Sequence, residues 1–211
     1  MKIFKYHTIN INLLQSLRKE TNWYSKLHLL NDPFECFLID NTATNTYTDF
    51  TSKLCTCCFS KNMSEILMWS HYADNHRGVC LEFEITNEET IKGQLININY
   101  DNDLTIIDNI ERTSTGHLSI NITSNGKFLA NKFKNWSYEE ELRTYIICEE
   151  ANFAGKEKPF LGNLVAIYFG KNAAKDDIDL VKHNTSHINS LRYFIVDLNT
   201  ENLKIEILRE I

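Results

Sequence analysis

The run Trp136-Ser137-Tyr138-Glu139-Glu140-Glu141-Leu142-Arg143 holds the densest set of chemically capable side chains in the chain. It continues into Thr144-Tyr145-Ile146-Ile147-Cys148, which reads as a strand. Side chains two apart on a strand share a face. A strand over Glu139–Cys148 therefore predicts Glu139, Glu141 and Arg143 on one face, with Leu142, Ile146 and Cys148 on the other. Carboxylates and a guanidinium are costly to bury unless they pair or work. A Glu held beside an Arg stays ionised and aimed, as a base or an oxocarbenium stabiliser must be. A solvated strand edge with a cross-linking salt bridge accounts for the same run.

A second polar-aromatic stretch is Met68-Trp69-Ser70-His71-Tyr72-Ala73-Asp74-Asn75-His76. It sits in a predicted helix over Glu65–Asn75, capped by Ser64 and closed by His76, Arg77 and Gly78. Trp69, Tyr72, Ala73 and His76 fall on one stripe. His71 and His76 are five residues apart, not the four that a helical metal pair needs. Trp69 and Tyr72 serve equally well as core residues that need polar partners, and His71 as a packing residue. Tyr6 and His7, near the end of a predicted first strand, offer a hydroxyl and an imidazole. Asn31-Asp32-Pro33-Phe34-Glu35 reads as a turn.

These groups must be carried by a framework of ordinary composition. The chain has 211 residues, 43% hydrophobic and 24% charged, with two Pro and seven Gly, which predicts one domain over 1–211. Predicted strands cover 2–8, Trp23–Leu30, Leu54–Ser60, Val79–Glu84, Leu95–Tyr100, Glu139–Cys148, Leu164–Phe169, Tyr193–Asp197 and Leu203–Leu208. Predicted helices cover Ile11–Arg18 and a stretch near Asp176–Asn189. Asn41–Thr48 reads as a connector, and residues 101–130 as a candidate mobile insertion or lid. The fold class is α+β, with a mixed, largely antiparallel sheet and flanking helices.

A net charge of −6 disfavours a general polyanion binder. Met1–Tyr6 does not read as a signal peptide, and no apolar run reaches membrane-spanning length, so a cytoplasmic protein without a membrane partner is expected. Of six Cys, three cluster at Cys55, Cys57 and Cys58. No second pair follows at zinc spacing, so core packing is the expected role and no metal site is assigned. Walker, dinucleotide-glycine, Gly-x-Ser-x-Gly and His-Glu-x-x-His motifs are absent.

Taken in order, Lys5-Tyr6, Asn31-Asp32-Pro33-Phe34-Glu35, Cys58-Phe59-Ser60, Met68-Trp69-Ser70-His71-Tyr72-Ala73, His76-x-Gly78-Val79 and Trp136-x-Tyr138-Glu139-x-Glu141-x-Arg143 resemble a bacterial family of domains of unknown function, DUF2971. That family brings no assigned activity. A looser resemblance is to the ADP-ribosyltransferase superfamily. Those proteins place His or Arg on an early strand, Ser or Tyr on a middle strand or helix, and Glu on a late strand of a split sheet. The matching positions here are Tyr6 or His7, then Ser60 or Tyr72, then Glu141 with Glu139 before it. The Ser-Thr-Ser motif of the arginine-modifying branch is missing and its first-strand Arg is replaced.

This second resemblance implies NAD as substrate and a toxin or anti-phage effector that modifies a protein or nucleic-acid acceptor, with an operon-encoded protein partner. Glu141 would stabilise charge at the ribose, Arg143 or Arg77 would pair the pyrophosphate, and Trp69 or Tyr72 would stack on nicotinamide. His71 joins the cofactor-binding candidates. Two other expectations stay open. One is a hydrolase or nuclease using Glu139, Glu141, His71 and Asp32 around a divalent ion. The other is a non-catalytic sensor or interaction module.

Overall fold

The computed structural model describes residues 1–32, 38–40, 52–86, 95–102, 105–107, 111–112, 118–119, 127–148 and 154–211. Strands are β1 (Lys2–His7), β2 (Thr21–Lys26), β3 (Leu38–Asp40), β4 (Leu54–Ser60), β5 (Val79–Glu84), β6 (Ile96–Asn97), β7 (Asn99–Asp101), β8 (Thr105–Ile107), β9 (Glu111–Arg112), β10 (Leu118–Ser119), β11 (Asn131–Phe133), β12 (Glu141–Ile147), β13 (Gly155–Pro159), β14 (Asn163–Phe169), β15 (Arg192–Asn199) and β16 (Lys204–Glu210). Helices are α1 (Ile11–Lys19), α2 (Ile66–Tyr72), α3 (Lys127–Ala130) and α4 (Lys175–Asn184).

Among the described residues, ten strands form one sheet in the order β13-β2-β4-β1-β5-β14-β15-β16, with β12 on β4 and β6 on β12. Its described pairs are antiparallel except β14 with β15, whose crossover carries α4. The mixed, largely antiparallel α+β class follows. Register partners share a face, so Phe4, Ser60 and Glu141 lie together, as do Cys58 and Arg143. On the opposite face Ile3, Cys55, Cys57, Phe59, Leu81, Phe83 and Leu142 form the main core with Leu13 and Leu17 of α1 and Val181 of α4.

α1 starts at Asn10, whose side chain accepts the Leu13 N–H at 3.0 Å, and ends at Glu20 in the left-handed region. Its Arg18 donates to Asn184 of α4 at 2.7 Å, tying the two helices over the core. α2 covers the other face of the sheet. There Trp69, fully buried, meets Tyr6 edge-on at 5.3 Å and donates its indole N–H to the Met63 carbonyl at 2.8 Å.

Several element boundaries differ from expectation. The strand expected over Trp23–Leu30 is β2, followed by a 3-10 turn at Leu27–Leu29. Helix α2 is shorter than Glu65–Asn75, and its cap is Glu65, which accepts the Leu67 N–H at 3.1 Å. Asp74, Asn75 and His76 then take positive φ, so the expected Trp69–His76 stripe ends with the helix. Gly78 continues the chain where a Cβ would lie 2.2 Å from the His7 carbonyl oxygen. This close approach to β1 is what requires glycine there.

The Leu95–Tyr100 stretch divides into β6 and β7 around Ile98. β13 was not among the expected strands. Pro33–Glu35, Cys36 and the Asn41–Thr48 connector lie outside the described residues, as does much of 101–130. No described helix is long and apolar enough to cross a membrane.

Candidate active site

The site grows from an asymmetry of β4. One edge of β4 pairs with β12 from Leu54 to Ser60. The other edge pairs with β2 only at Cys55 and Thr56, and with β1 only at Ser60. Between these contacts β1 and β2 diverge, and the sheet splits beside Cys57–Phe59. A cleft of about 260 Å³ occupies the gap, walled by Lys5–His7, Trp23 and Thr56–Ser60 and floored by Tyr72, Lys132, Glu139, Glu141 and Arg143. In the gap the Lys5 ammonium donates to the Cys58 carbonyl at 2.9 Å, satisfying a backbone group that a ladder would otherwise take.

The floor is a buried charge network in which Lys132, Glu139, Glu141 and Arg143 are each no more than 6% exposed. Arg143 forks onto Glu141, Nε to Oε1 at 2.7 Å and Nη2 to Oε2 at 2.8 Å. Lys132 bridges the carboxylates, donating to Glu139 at 2.6 Å and to Glu141 at 3.2 Å. Tyr72 donates to Glu139 at 2.5 Å and accepts from the Asn31 amide at 2.6 Å. The Glu141 N–H donates to the Tyr100 hydroxyl at 2.7 Å. A continuous chain of polar contacts thus runs Asn31, Tyr72, Glu139, Lys132, Glu141, Arg143.

Glu139 reaches this network by another route than strand alternation. Residues Lys134–Glu139 form a 3-10 helix, and Glu140, at φ 44°, turns the chain before β12 begins. The expected Glu139–Cys148 strand is therefore Glu141–Ile147. The alternation holds for Glu141 and Arg143 against Leu142, while Lys132 draws the Glu139 carboxylate back to the same place. Trp136 lies over the Lys132 ammonium at 5.0 Å, and Tyr138 lies 6.1 Å from His71.

The two carboxyls are driven apart electrostatically. Burial alone would raise Glu141, but the Arg143 guanidinium and Lys132 outweigh it and hold the group down at about 2. Burial raises Glu139 above the usual carboxylate range, with Lys132 opposing and Glu141 reinforcing the rise. Burial and the neighbouring Glu139 raise Tyr72, which stays a neutral donor. Burial, with the Lys5 charge beside it, lowers His7 to about 3, leaving a neutral imidazole. Pairs whose environments separate their proton affinities are the usual basis of acid and base roles.

A family model described as a protein of unknown function, DUF2971, matches residues 68–144. Over that stretch the chain is similar to the DUF2971 family. The match opens within α2 and closes within β12, so it carries Tyr72, Lys132, Glu139, Glu141 and Arg143 together. No curated protein and no solved structure matches the chain significantly.

Within the DUF2971 stretch, Glu139, Glu141, Tyr72 and Arg143 converge on the cleft, and from outside it Tyr6, His7 and Ser60 line the wall. The Tyr6 hydroxyl and Ser60 are both committed to the Asn62 carbonyl, at 2.8 and 3.1 Å. Three expected site residues lie elsewhere. Trp69 has no exposed face for stacking, because it fills the core under β1. His71 is exposed outside the cleft. Arg77 is spent on Asp74 in an exposed ion pair at 2.9 Å, beyond the end of α2.

The metal-centred expectation also lacks its ligand set. No group of three His, Cys, Asp or Glu among the described residues is placed to hold an ion, and Lys132 occupies the space between Glu139 and Glu141.

Lys132 and Lys5 are the site residues that sequence reasoning missed. Lys132 stands in an unremarkable Asn131-Lys132-Phe133 run. Its one signal is arithmetic: two carboxylates and one Arg on a buried surface leave a negative charge to neutralise. Cys58, expected in the core, lies on the cleft face, where burial and Glu141 push its thiol well up. Cys55, Cys57, Cys80 and Cys148 are buried as expected, and all five are free thiols.

Proposed function

We propose that the chain is an NAD-cleaving enzyme, an ADP-ribosyltransferase or NAD glycohydrolase acting as a toxin or anti-phage effector. The carrying observation is Glu141, held ionised by Arg143 and Lys132 at the floor of a cleft in a split sheet. In this reading the bond between ribose C1′ and nicotinamide nitrogen breaks, and its electron pair leaves with neutral nicotinamide. Positive charge grows at C1′ and the ring oxygen, and the fixed Glu141 carboxylate stabilises it. The acceptor oxygen, from water or a macromolecule, bonds to C1′ and gives up its proton. Glu139, raised and hydrogen-bonded to Tyr72, is the group suited to take it. Tyr72, which lines the cleft, replaces Trp69 as the aromatic group available to nicotinamide.

Nicotinamide release from NAD, followed by chromatography, tests the reading. Wild type releases nicotinamide, and Glu141→Gln does not. Absence of both release and NAD binding by the folded wild-type protein overturns it. A second reading, a ligand-binding sensor, draws support from the mutual compensation of all four floor charges. It is favoured if NAD binds without turnover.

A further inference from the structure

Among the described residues, three cationic side chains line the cleft apart from neutral His7: Lys5, Lys132 and Arg143. Lys132 and Arg143 share Glu139 and Glu141, so the floor is formally neutral. Lys5 is different. Its ammonium rests on the Cys58 carbonyl at 2.9 Å and lies 5.4 Å from the Phe59 ring centre, with no carboxylate in ion-pair reach among the described residues. A half-buried cation whose neighbours, the Cys58 carbonyl, the Phe59 ring and the Cys57 thiol, carry no formal negative charge leaves the cleft with an excess positive charge. Its field is felt by its neighbours, since it helps depress His7 and opposes the burial that raises Cys57. An anionic group entering the cleft would find this charge without having to displace an existing partner.

The wall opposite supplies a flat aromatic surface. Trp23 lines the cleft and is 45% exposed, unusual for so large a side chain. Its ring lies against Gly155, where a Cβ would come within 2.7 Å of Cε2 and Cζ2. The ring is thus backed on one side and open on the other, the arrangement on which a base stacks.

We propose that Lys5 is the anion anchor of the cleft, taking a phosphate or pyrophosphate group of a nucleotide whose base lies against Trp23. Identification of that nucleotide as NAD rests on the function proposed above; the anchor itself does not. The assignment moves the pyrophosphate away from Arg143, whose fork is engaged with Glu141, and from Arg77, which lies outside the cleft. It also explains how an acidic chain holds an anion, by one uncompensated charge in a low-dielectric gap rather than a basic surface.

Calorimetric titration with inorganic pyrophosphate, ADP and NAD at low salt tests the anchor. Lys5→Gln keeps a donor for the Cys58 carbonyl and removes the charge. Loss of a charge-assisted contact corresponds to roughly 10- to 100-fold in affinity, so ADP and pyrophosphate binding should fall by that factor in Lys5→Gln and be largely kept in Lys5→Arg. Equal affinity in wild type and Lys5→Gln overturns the proposal, as does failure of both probes to bind wild type.

If ADP and pyrophosphate bind through Lys5 while NAD neither binds nor releases nicotinamide, the anchor stands and the NAD reading falls. Should Lys5→Gln not fold, the wild-type protein still decides. Pyrophosphate must slow acetic anhydride labelling of Lys5 relative to exposed Lys175, and unchanged labelling overturns the proposal.

Discussion

Arg143 grips Glu141 through two parallel hydrogen bonds, at 2.7 and 2.8 Å, although the two residues are only two apart on one strand. Same-face neighbours on β12 are thereby locked into a single planar unit, and neither side chain can swing without the other. A lysine cannot reproduce the fork. Arg143→Lys should lose one charge-assisted bond and destabilise the fold by about 1–3 kcal/mol, read from urea unfolding. NAD cleavage should fall with it, because the carboxylate is no longer held in one orientation.

The opposed shifts of Glu139 and Glu141 give stability a pH signature. Glu141 is held at about 2 against an ordinary 4.5, so its contribution is present above 4.5 and is lost as pH falls toward 2. Glu139 is raised, so its sign is reversed: it favours the folded state at low pH, and that advantage is lost as pH rises through its folded value. His7, held down at about 3, and His76, also lowered, act against Glu139 as pH falls through 6.5, because the unfolded imidazoles take protons that the folded ones do not. The Glu139 contribution is therefore read by comparison with a variant that lacks it. Stability falls below 4.5 as the Glu141 contribution is lost. Exposed Asp74, Glu206 and Glu210, also lowered, add to the acid loss. Glu139→Gln removes the loss that wild type suffers as Glu139 ionises, so in urea melts from pH 4.5 to 7 the variant should gain stability relative to wild type as pH rises.

Lys132 is expected to matter more for stability than its place in the sequence suggests. Lys132→Met leaves two buried carboxylates facing each other without their bridge, and breaking such a network costs about 3–5 kcal/mol. Adding Glu139→Gln removes one of the stranded charges. The double variant Lys132→Met/Glu139→Gln should thus be more stable than Lys132→Met alone, a coupling measurable by a thermodynamic cycle. Simple additivity would mean that Lys132 and Glu139 do not act as a pair.

Tyr72→Phe removes the donor to Glu139 and the acceptor for Asn31 in one change. Leaving a buried carboxylate oxygen without its partner costs about 1–3 kcal/mol. Thermal melting should show that loss. Trp69→Phe, which orphans the Met63 carbonyl, should cost a similar amount while leaving ligand affinity untouched.

Much of this framework was legible from side-chain periodicity. The alternation of Val79–Glu84 and the apolar run Leu54–Ser60 mark strands that fold as read, because burial on one face or both leaves a pattern. Glu141, Arg143, Tyr72 and the cleft-lining Tyr6, His7 and Ser60 were legible as residues whose types require partners. What periodicity could not carry is the 3-10 turn before β12. Its cause is a left-handed Glu140, and nothing in three consecutive Glu distinguishes the one that turns.

Lys132 and Lys5 were illegible for a different reason. Lys5 meets the Cys58 carbonyl across the sheet split, 53 residues away. Lys132 meets Glu139 and Glu141, seven and nine residues on, because the 3-10 turn folds them back onto it. Neither contact leaves a mark on strand or helix periodicity. Trp69 and Arg77 show the converse, since residues suited to chemistry were taken up by the core and by a surface ion pair.

Gly78 connects the family motif to the cleft. It comes one residue after the positive-φ run Asp74–His76 and donates its N–H to the Ala73 carbonyl at 2.7 Å, closing the turn after α2. Its missing side chain lets β5 start hard against β1, where a Cβ would sit 2.2 Å from the His7 carbonyl oxygen and 2.9 Å from Ala73 backbone. Backbone cannot yield as a flexible side chain would, so Gly78→Ala must push β1 and α2 apart. These are the elements that carry Lys5 and Tyr72. The variant should lose stability in urea unfolding, and the residual folded protein should bind ADP more weakly, because the cleft walls are displaced even though every polar cleft group remains. Unaltered stability and affinity in Gly78→Ala would show that the His7–Gly78 contact does not set the position of β1.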